Sequence, residues 1–535
     1  MSGYQFPAAT RRQTLFGASA VAGVSLASGA RAQQSTLDLA KVDALVQATM
    51  AAFGQPGLGL AIVQNGRVLA AKGYGVRKLG DPAPVDEATV FAIASNSKAY
   101  AAAALAILVE DGKLGWDDPV VRHMPDFRMY DDFATREMTV RDLLVHRSGL
   151  GLGQGDLMVW PTTTHTRAEI MHGLRWLKPA RSFRSGYAYD NVLYVVAGLL
   201  TEKVSGLGWE AFVQTRILNP AGMKDSAPAP SLSRAANHAW PHARVSGIAR
   251  GLGPLSVIDY VDSDNAAPAG GLHVSPRDAA RWLQIQLAEG ALPSGGRLWS
   301  AANAKEMWTP QVFMNVGSGA TDQNPKGYTF RAYALGWIVE DYRSRKVIWH
   351  SGSVSGQTSV TVLVPSRNAG FMVLTNAEEG AVGRVLRNGL IDMIIGDASF
   401  DWLADTVRRD AEIKTENEEE ARKAAAQPAG GGKPPALPLK RYAGVYRDPW
   451  YGTVTVKEAN GRLAISFDKS PTMKGPLEPF DGDVFRTRFP DRNVEDAFVA
   501  FETDGQKVLR ATLKAVSPSA DFSYDYQDLL LTPAG

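Results

Sequence analysis

Apolar residues recur at helical spacing from Leu37 to Phe53, and the pattern then tightens into short apolar runs at Leu58–Val63 and Val68–Ala71. The first stretch predicts an amphipathic helix and the two runs predict strands. Asn65-Gly66 between the strands is a strong hairpin signal, because a two-residue turn of the right twist needs positive φ at both positions. From Asn96 the chain is rich in Ala and Leu, which favours helix, and Gly112 is its natural stop. Met138–Leu150 predicts a short helix opened at Thr139 and closed at Gly149. Gly151–Phe183 carries no clear period and suits the wall of a cleft. An aromatic-polar turn, Tyr187–Asn191, opens a helix from about Val192 to Gly206. Ser226–Pro254 is Ala- and Pro-rich and reads as loop, and Ser275 caps a helix over Pro276–Leu287. Strands are predicted at Tyr333–Val339, Lys346–Trp349, Val360–Val364 and Gly370–Leu374, with a helix at Val382–Ile395. Strands early, helices in the middle, then strands and a helix late predict an α+β sheet domain with a helical insertion.

The character of the chain changes after that helix. Asp405–Lys423 is highly charged and predicts an exposed helix, and Gln427–Pro438 (QPAGGGKPPALP) has the composition of a linker. Beyond it, Thr453–Val456 and Leu463–Phe467 alternate at period two around Asn460-Gly461, and Phe498–Phe501, Val508–Leu513 and Leu529–Leu531 continue in the same style. Residues 441–535 therefore read as a separate small all-β domain, a barrel. With 535 residues, two or more cores are expected.

Composition narrows the picture. The chain is 45% hydrophobic and 21% charged, as in soluble globular proteins. A net charge of +2 gives no reason to expect a nucleic-acid or acidic-lipid partner. There is no cysteine, which excludes disulfides, thiolate metal sites and cysteine catalysis. No later stretch is long and apolar enough to span a bilayer. The first residues read as an address: Thr10-Arg11-Arg12-Gln13-Thr14-Leu15-Phe16 is a twin-arginine pattern, followed by an Ala/Gly/Ser-rich run and Ala30-Arg31-Ala32. Residues 1–32 are expected to be a Tat-type signal cleaved after Ala32, which predicts a periplasmic protein. The alternative is a cytosolic protein with a basic, Ala-rich N-terminus.

Candidate chemistry centres on Ser95 and Lys98, three residues apart and so on one face of the predicted helix start. A serine hydroxyl is a weak nucleophile until a base takes its proton, and a lysine in an apolar setting has its pKa lowered toward that task. Taken alone, Ser95 is equally an ordinary helix cap and Lys98 a solvated helix residue. No H-E-x-x-H and no carboxylate cluster of metal-ligand spacing stands out, so no metal and no cofactor are expected. G-x-S-x-G is absent, which counts against an α/β-hydrolase.

Three motifs follow one another in a fixed order: Ser95-Asn96-Ser97-Lys98, Tyr189-Asp190-Asn191 and His350-Ser351-Gly352. They stand in a framework of LLVHRSGL, PAGGLHVSPRDAAR and YALGW. Together, over about residues 37–395, they resemble the serine β-lactamase and penicillin-binding-protein superfamily. The match is to its class C-like branch of esterases, D-stereospecific peptidases and D-aminopeptidases. Within that branch, chain size, an exported form and motif order are compatible with the peptidase acting on linearised microcystin. YAGVYRDPWYGTVTV and DFSYDYQDLLLTP look like the lipocalin-like barrel appended to some members, whose Asp, Tyr and Trp residues are expected in turns and core. The resemblance implies a β-lactamase-like sheet domain flanked by helices with a helical subdomain, over 33–400. A charged helix and linker at 401–440 and a barrel at 441–535 complete the expected order.

The resemblance also implies roles. Ser95 would be the nucleophile forming an acyl-enzyme, and Lys98 and Tyr189 together its base, with the Lys98 charge favouring tyrosinate. Asn191 would hold a substrate amide, and His350 and Gly352 belong to the substrate-binding strand. The backbone N–H groups of Ser95 and Ser353 would form the oxyanion hole. His350 departs from the lysine usual in penicillin-recognising relatives. A histidine is mostly neutral near pH 7, so a β-lactam carboxylate would be held less well. Asp190, where many relatives have serine, adds negative charge that would keep Lys98 protonated. The expected function is hydrolysis of amide bonds in short linear peptides, with D- or unusual residues as in linearised microcystin. The alternatives are a carboxylesterase on the same site, a β-lactamase and a non-enzymatic penicillin-binding-like scaffold. Partners are a small peptide or ester, with no nucleic acid and no membrane span. Oligomeric state is left open, a homo-oligomer included.

Overall fold

The computed structural model describes residues 37–535 except 234–235, 248–249, 262, 317–327, 427–431, 518–519 and 535. The twin-arginine segment with its Ala32 cleavage site and the first five residues of the expected linker lie outside the described residues. Helix α1 (Leu39–Phe53) is capped by Asp38, whose carboxylate accepts from the Ala40 and Lys41 N–H groups. Strand β1 (Gly57–Gln64) doubles back into β2 (Arg67–Lys78) through Asn65 and Gly66, both at positive φ, and β3 (Asp81–Pro84) extends the edge. Helix α2 (Ser97–Glu110) follows, then α3 (Val192–Ser205) and α4 (Pro276–Leu287). Strands β4 (Val312–Phe313), β5 (Arg331–Tyr333), β6 (Ile338–Tyr342), β7 (Arg345–Val354), β8 (Gln357–Val364) and β9 (Ala369–Thr375) complete the sheet.

The nine strands run β3-β2-β1-β9-β8-β7-β6-β5-β4, every neighbouring pair antiparallel. β1 is zipped to β9, with Leu60 opposite Val373, so the start and end of the domain share one core. Helix α4, capped by Ser275, lies on one face, with Pro276 against Gly59 of β1 and Leu283 against Gly370 of β9. On the other, α5 (Gly380–Ile395) packs Gly383 against Val360 of β8 and Gly389 against Leu45 of α1. Helix α2 is buried on every side from Ser97 to Leu108. Its run of alanines lets neighbouring elements approach closely, and its pattern is apolar all round, as a central helix requires.

Three expectations are corrected. Tyr333–Val339 is two strands: at Gly336 the chain takes φ +76° beside the Lys98 carbonyl, which a Cβ would meet at 2.6 Å. Met138–Leu150 holds only a single 3₁₀ turn, Arg141–Leu144. The unpatterned Gly151–Phe183 stretch contains a helix, Arg167–Gly173, opened by a reciprocal capping box of Thr166 and Glu169.

The charged helix α6 (Trp402–Ala426) leads to a closed eight-stranded barrel. Its strands are β10 (Gly444–Asp448), β11 (Gly452–Ala459), β12 (Arg462–Phe467), β13 (Lys474–Asp481), β14 (Val484–Thr487), β15 (Ala497–Thr503), β16 (Val508–Ala515) and β17 (Leu530–Pro533). Period-two alternation turns Val454, Val456, Leu463, Ile465 and Phe467 inward, where Phe501 packs edge to face with Tyr442 and Phe485. Between β16 and β17 the chain leaves the barrel and brings Phe522–Asp525 against the first domain. No helix among the described residues is long and apolar enough to cross a membrane.

Candidate active site

Ser95 sits in the 3₁₀ turn Ala94–Asn96 that opens into α2, and Ala94 before it is held at φ 45°, uncommon for a residue with a side chain. The turn is tied down from two sides. Asn96 Nδ2 donates to Ser359 Oγ (2.7 Å), Ser359 Oγ donates to the Ile93 carbonyl (2.7 Å), and Gln357 Oε1 accepts from Ala92 N–H (2.6 Å), all from β8. From the other side the Leu272 N–H donates to Ser97 Oγ (3.0 Å). Gly352 of β7 lies so close that a Cβ there would stand 2.1 Å from the Ile93 carbonyl and 3.0 Å from the Ser95 nitrogen. Only glycine lets this strand run past the serine.

Lys98 is fully buried, with Nζ 3.2 Å from Ser95 Oγ, 2.7 Å from Asn191 Oδ1 and 3.0 Å from the Ala269 carbonyl. Its ammonium face is roofed by the rings of Tyr189 (4.7 Å) and Tyr194 (5.1 Å). Burial pulls its pKa down to about 7, with the carboxylates of Asp156 and Asp190 pulling the other way. The expectation that Asp190 keeps Lys98 protonated is thus right in sign and outweighed in size. Tyr189 is pushed well above its ordinary value by burial, against a hydrogen bond with Ser95 that favours the phenolate. Burial thus works against the expected tyrosinate and lowers the proton affinity of Lys98 beside it.

His350, expected among the substrate-binding residues, is covered by protein. It is buried in β7, with Nδ1 2.6 Å from the Ser351 carbonyl and Nε2 2.8 Å from Tyr333 Oη. A carbonyl only accepts, so Nδ1 carries the proton and Nε2 accepts from the tyrosine. Burial, helped by Lys98, pulls its pKa to about 3, so the ring is neutral. Tyr333 of β5 is the partner that holds it. His146, at φ 58°, packs at a tilt among the rings of Tyr189, Tyr194 and Tyr333.

Ser95, Asn191 and Ser353 open onto one cleft of about 320 Å³, walled by Val159, Trp160 and Arg250. Asn191 is already committed: its Oδ1 faces Lys98 and its Nδ2 donates to Asp156 Oδ2 (2.8 Å). Asp156 is fully buried, and burial lifts its pKa to about 7 against hydrogen bonds from Ser523 and Asn191. Ser523 and Tyr524 of the barrel chain also line the cleft, and the Phe522 ring meets Tyr189 edge-on at 5.9 Å. Asp156, Ser523 and Asp525 were not singled out in the sequence. Asp156 has one faint signal, a lone carboxylate opening an otherwise apolar run, DLMVW; Ser523 and Asp525 have none, and Asp525 falls among the barrel Asp residues expected in turns and core.

The chain is similar to known proteins over most of its length. It is 26% identical over 466 residues to an unguisins hydrolase of Aspergillus campestris, 83% of each chain being covered. A penicillin-binding protein homologue from Pyrococcus abyssi, described as octameric, superposes with a TM-score of 0.59 at 21% identity, over 89% of this chain and 98% of that one. A tyrosine-to-phenylalanine mutant of a class C β-lactamase superposes with a TM-score of 0.53 at 20% identity, over 67% of this chain and 96% of the other. Residues 429–533 match a domain of unknown function, DUF3471. Residues 42–394 match the Beta-lactamase family, and the chain belongs to that family of serine hydrolases, carrying a C-terminal closed barrel.

Proposed function

We propose that the protein hydrolyses amide bonds of short linear peptides, including ones with D- or otherwise unusual residues, through an acyl-enzyme on Ser95. The observation that carries this reading is a fully buried lysine amine, its proton affinity lowered by that burial, 3.2 Å from a serine hydroxyl that opens onto a cleft. Neutral Lys98 takes the Ser95 proton as Oγ bonds to the substrate carbonyl carbon. The N–H groups of Ser95 and Ser353 receive the oxyanion, a contribution worth roughly 3 kcal/mol per donor in such sites. Tyr189 relays the proton from Lys98 to the leaving nitrogen as the C–N bond breaks. Water then repeats the sequence on the ester, and Ser95 regains its proton.

Gly352 admits the strand that carries Ser353, and His350 steadies it from beneath through Tyr333. Because His350 is neutral and covered, this strand offers no fixed cation for a β-lactam carboxylate. The cleft instead carries both signs, with Arg250 hydrogen-bonded to Glu378 (2.7 Å) and Asp521 elsewhere on its wall, beside apolar Val159 and Trp160, which suits a peptide with side chains and a charged end. Similarity along most of its length to a protein named as a hydrolase supports the reaction class. The twin-arginine segment supports export to the periplasm.

The test is mass spectrometry of a panel of linear peptides, all-L and D-containing, incubated with wild type and Ser95→Ala. Cleavage by the wild type alone is expected, and its cut sites name the preference. Intact peptides with both proteins, alongside Ser95-dependent turnover of aryl esters, would replace the peptidase reading by the esterase.

A further inference from the structure

The hydrogen bonds that leave Lys98 do not stop within the catalytic domain. Lys98 Nζ donates to Asn191 Oδ1 at 2.7 Å, Asn191 Nδ2 donates to Asp156 Oδ2 at 2.8 Å, and the same oxygen accepts from Ser523 Oγ of the barrel chain at 2.8 Å. An amide has one accepting and one donating end. With the acceptor turned to Lys98, the donor must find an acceptor of its own, and Asp156 is the one in place. Flipping the amide would set N–H groups against the amine and a carbonyl against a carboxylate.

The loop bearing Asp156 is itself gripped by the barrel chain. Asp525 accepts from the Gly155 N–H (2.6 Å) and the Leu157 N–H (2.9 Å), the residues on either side of Asp156. Gly153 lies against Phe522, where a Cβ would meet the ring at 2.6 Å. Asp156 Oδ1 is buried with no hydrogen-bond partner among the described residues, so this carboxylate is held by neutral donors and faces one cation, Lys98.

We propose that Asp156, seated by Ser523 and Asp525 of the barrel, is a positioning residue that fixes the Asn191 amide and supplies the charge that decides when Lys98 is free to act as base. The inference rests on the reading of Lys98 as base given above. The other groups facing Lys98 are Asp190, Tyr189, Tyr194, His146 and the neutral His350; besides Lys98, those facing Asp156 are Asp190, Asp525 and Tyr189. Asp156 and Asp190 both raise the proton affinity of Lys98. Removing the first charge therefore frees the amine at lower pH.

The readout is the rate at which a fluorophosphonate labels Ser95 in the full-length protein, followed by intact mass between about pH 5 and 10. Wild type is expected to gain reactivity around neutrality. Asp156→Asn is expected to move that rise to lower pH by about one unit, the usual scale for a neighbouring charge. Ser523→Ala takes a donor from the carboxylate, raises its proton affinity and moves the rise the same way by less, while Ser523→Thr keeps the hydroxyl and the wild-type curve. Ser523→Ala keeps the proposal testable even where Asp156→Asn folds poorly. Curves for Asp156→Asn and Ser523→Ala that lie on the wild-type curve, whatever their amplitude, would overturn the proposal alone. A wild type that is never labelled at Ser95 would overturn the nucleophile reading, and the proposal with it.

Discussion

Asp142 and Asp156 lie fourteen positions apart, both fully buried, yet they are built in opposite ways. Asp142 accepts from Arg147 Nε (2.7 Å), from the Arg184 guanidinium (2.5 Å) and from both the N–H (3.0 Å) and hydroxyl (2.7 Å) of Thr139. These partners hold its pKa below the ordinary carboxylate value even though burial pushes it up. Asp156 has two neutral donors on one oxygen, none on the other, and a single lysine in place of two arginines; its pKa climbs to about 7. Burial alone does not decide what a buried carboxylate does. A carboxylate surrounded by permanent cations is a fixed strut, whereas one balanced against a lysine of similar proton affinity holds a proton that can move.

The largest effect expected from breaking this contrast is at Lys98. Lys98→Met removes the lysine charge that acts on Asp156, and Ser95-dependent hydrolysis should fall by roughly 10³-fold or more, with the melting temperature held or raised; steady-state rates and a thermal melt check both. At Asp142 the expectation is reversed. Asp142→Asn leaves two arginines short of their carboxylate and should cost about 2–4 kcal/mol in urea unfolding, with the rate per folded molecule unchanged.

Acid sharpens the comparison further. His165 and His273 are held near pKa 4 and His350 near 3, chiefly by burial. The unfolded chain therefore binds more protons than the fold once pH drops below the ordinary histidine value, and each histidine removes about 1.4 kcal/mol of stability per pH unit from about 6.5 down to its folded pKa. Asp156 acts the other way. Its folded pKa lies above the unfolded one, so it adds stability as pH falls from about 7 toward 3.8. Asp156→Asn should therefore steepen the acid loss, read as unfolding midpoints in a pH series. The smallest effect belongs to the exposed bridge from Lys469 of the barrel to Glu169 (2.6 Å). Lys469→Ala should cost under about 1 kcal/mol, less in high salt; an equal cost at low and high salt would show that its role is packing.

Where local chemistry dictates structure, the sequence was legible. Asn65-Gly66 can make only a tight hairpin turn, Ser275 with Pro276 marks the first turn of α4, and Ser95 with Lys98 shares a helix start. The break in Tyr333–Val339 was not, since Gly336 turns at positive φ against the Lys98 carbonyl of α2, a contact hundreds of residues away in sequence. The same holds for the burial of His350. Its ring looks like a residue on a substrate strand until Tyr333, two strands away across β6, takes its Nε2. Ser523 and Asp525 were illegible for the strongest reason, since their partners are hundreds of residues distant and no local pattern records them.

That distance has a consequence during synthesis. Ser523 is 367 residues from Asp156, so at about 5–20 residues per second a ribosome needs roughly 20–70 s after making the aspartate before it supplies the hydroxyl. Throughout that interval the nascent chain carries Ser95 and Lys98 without the clasp that finishes their surroundings.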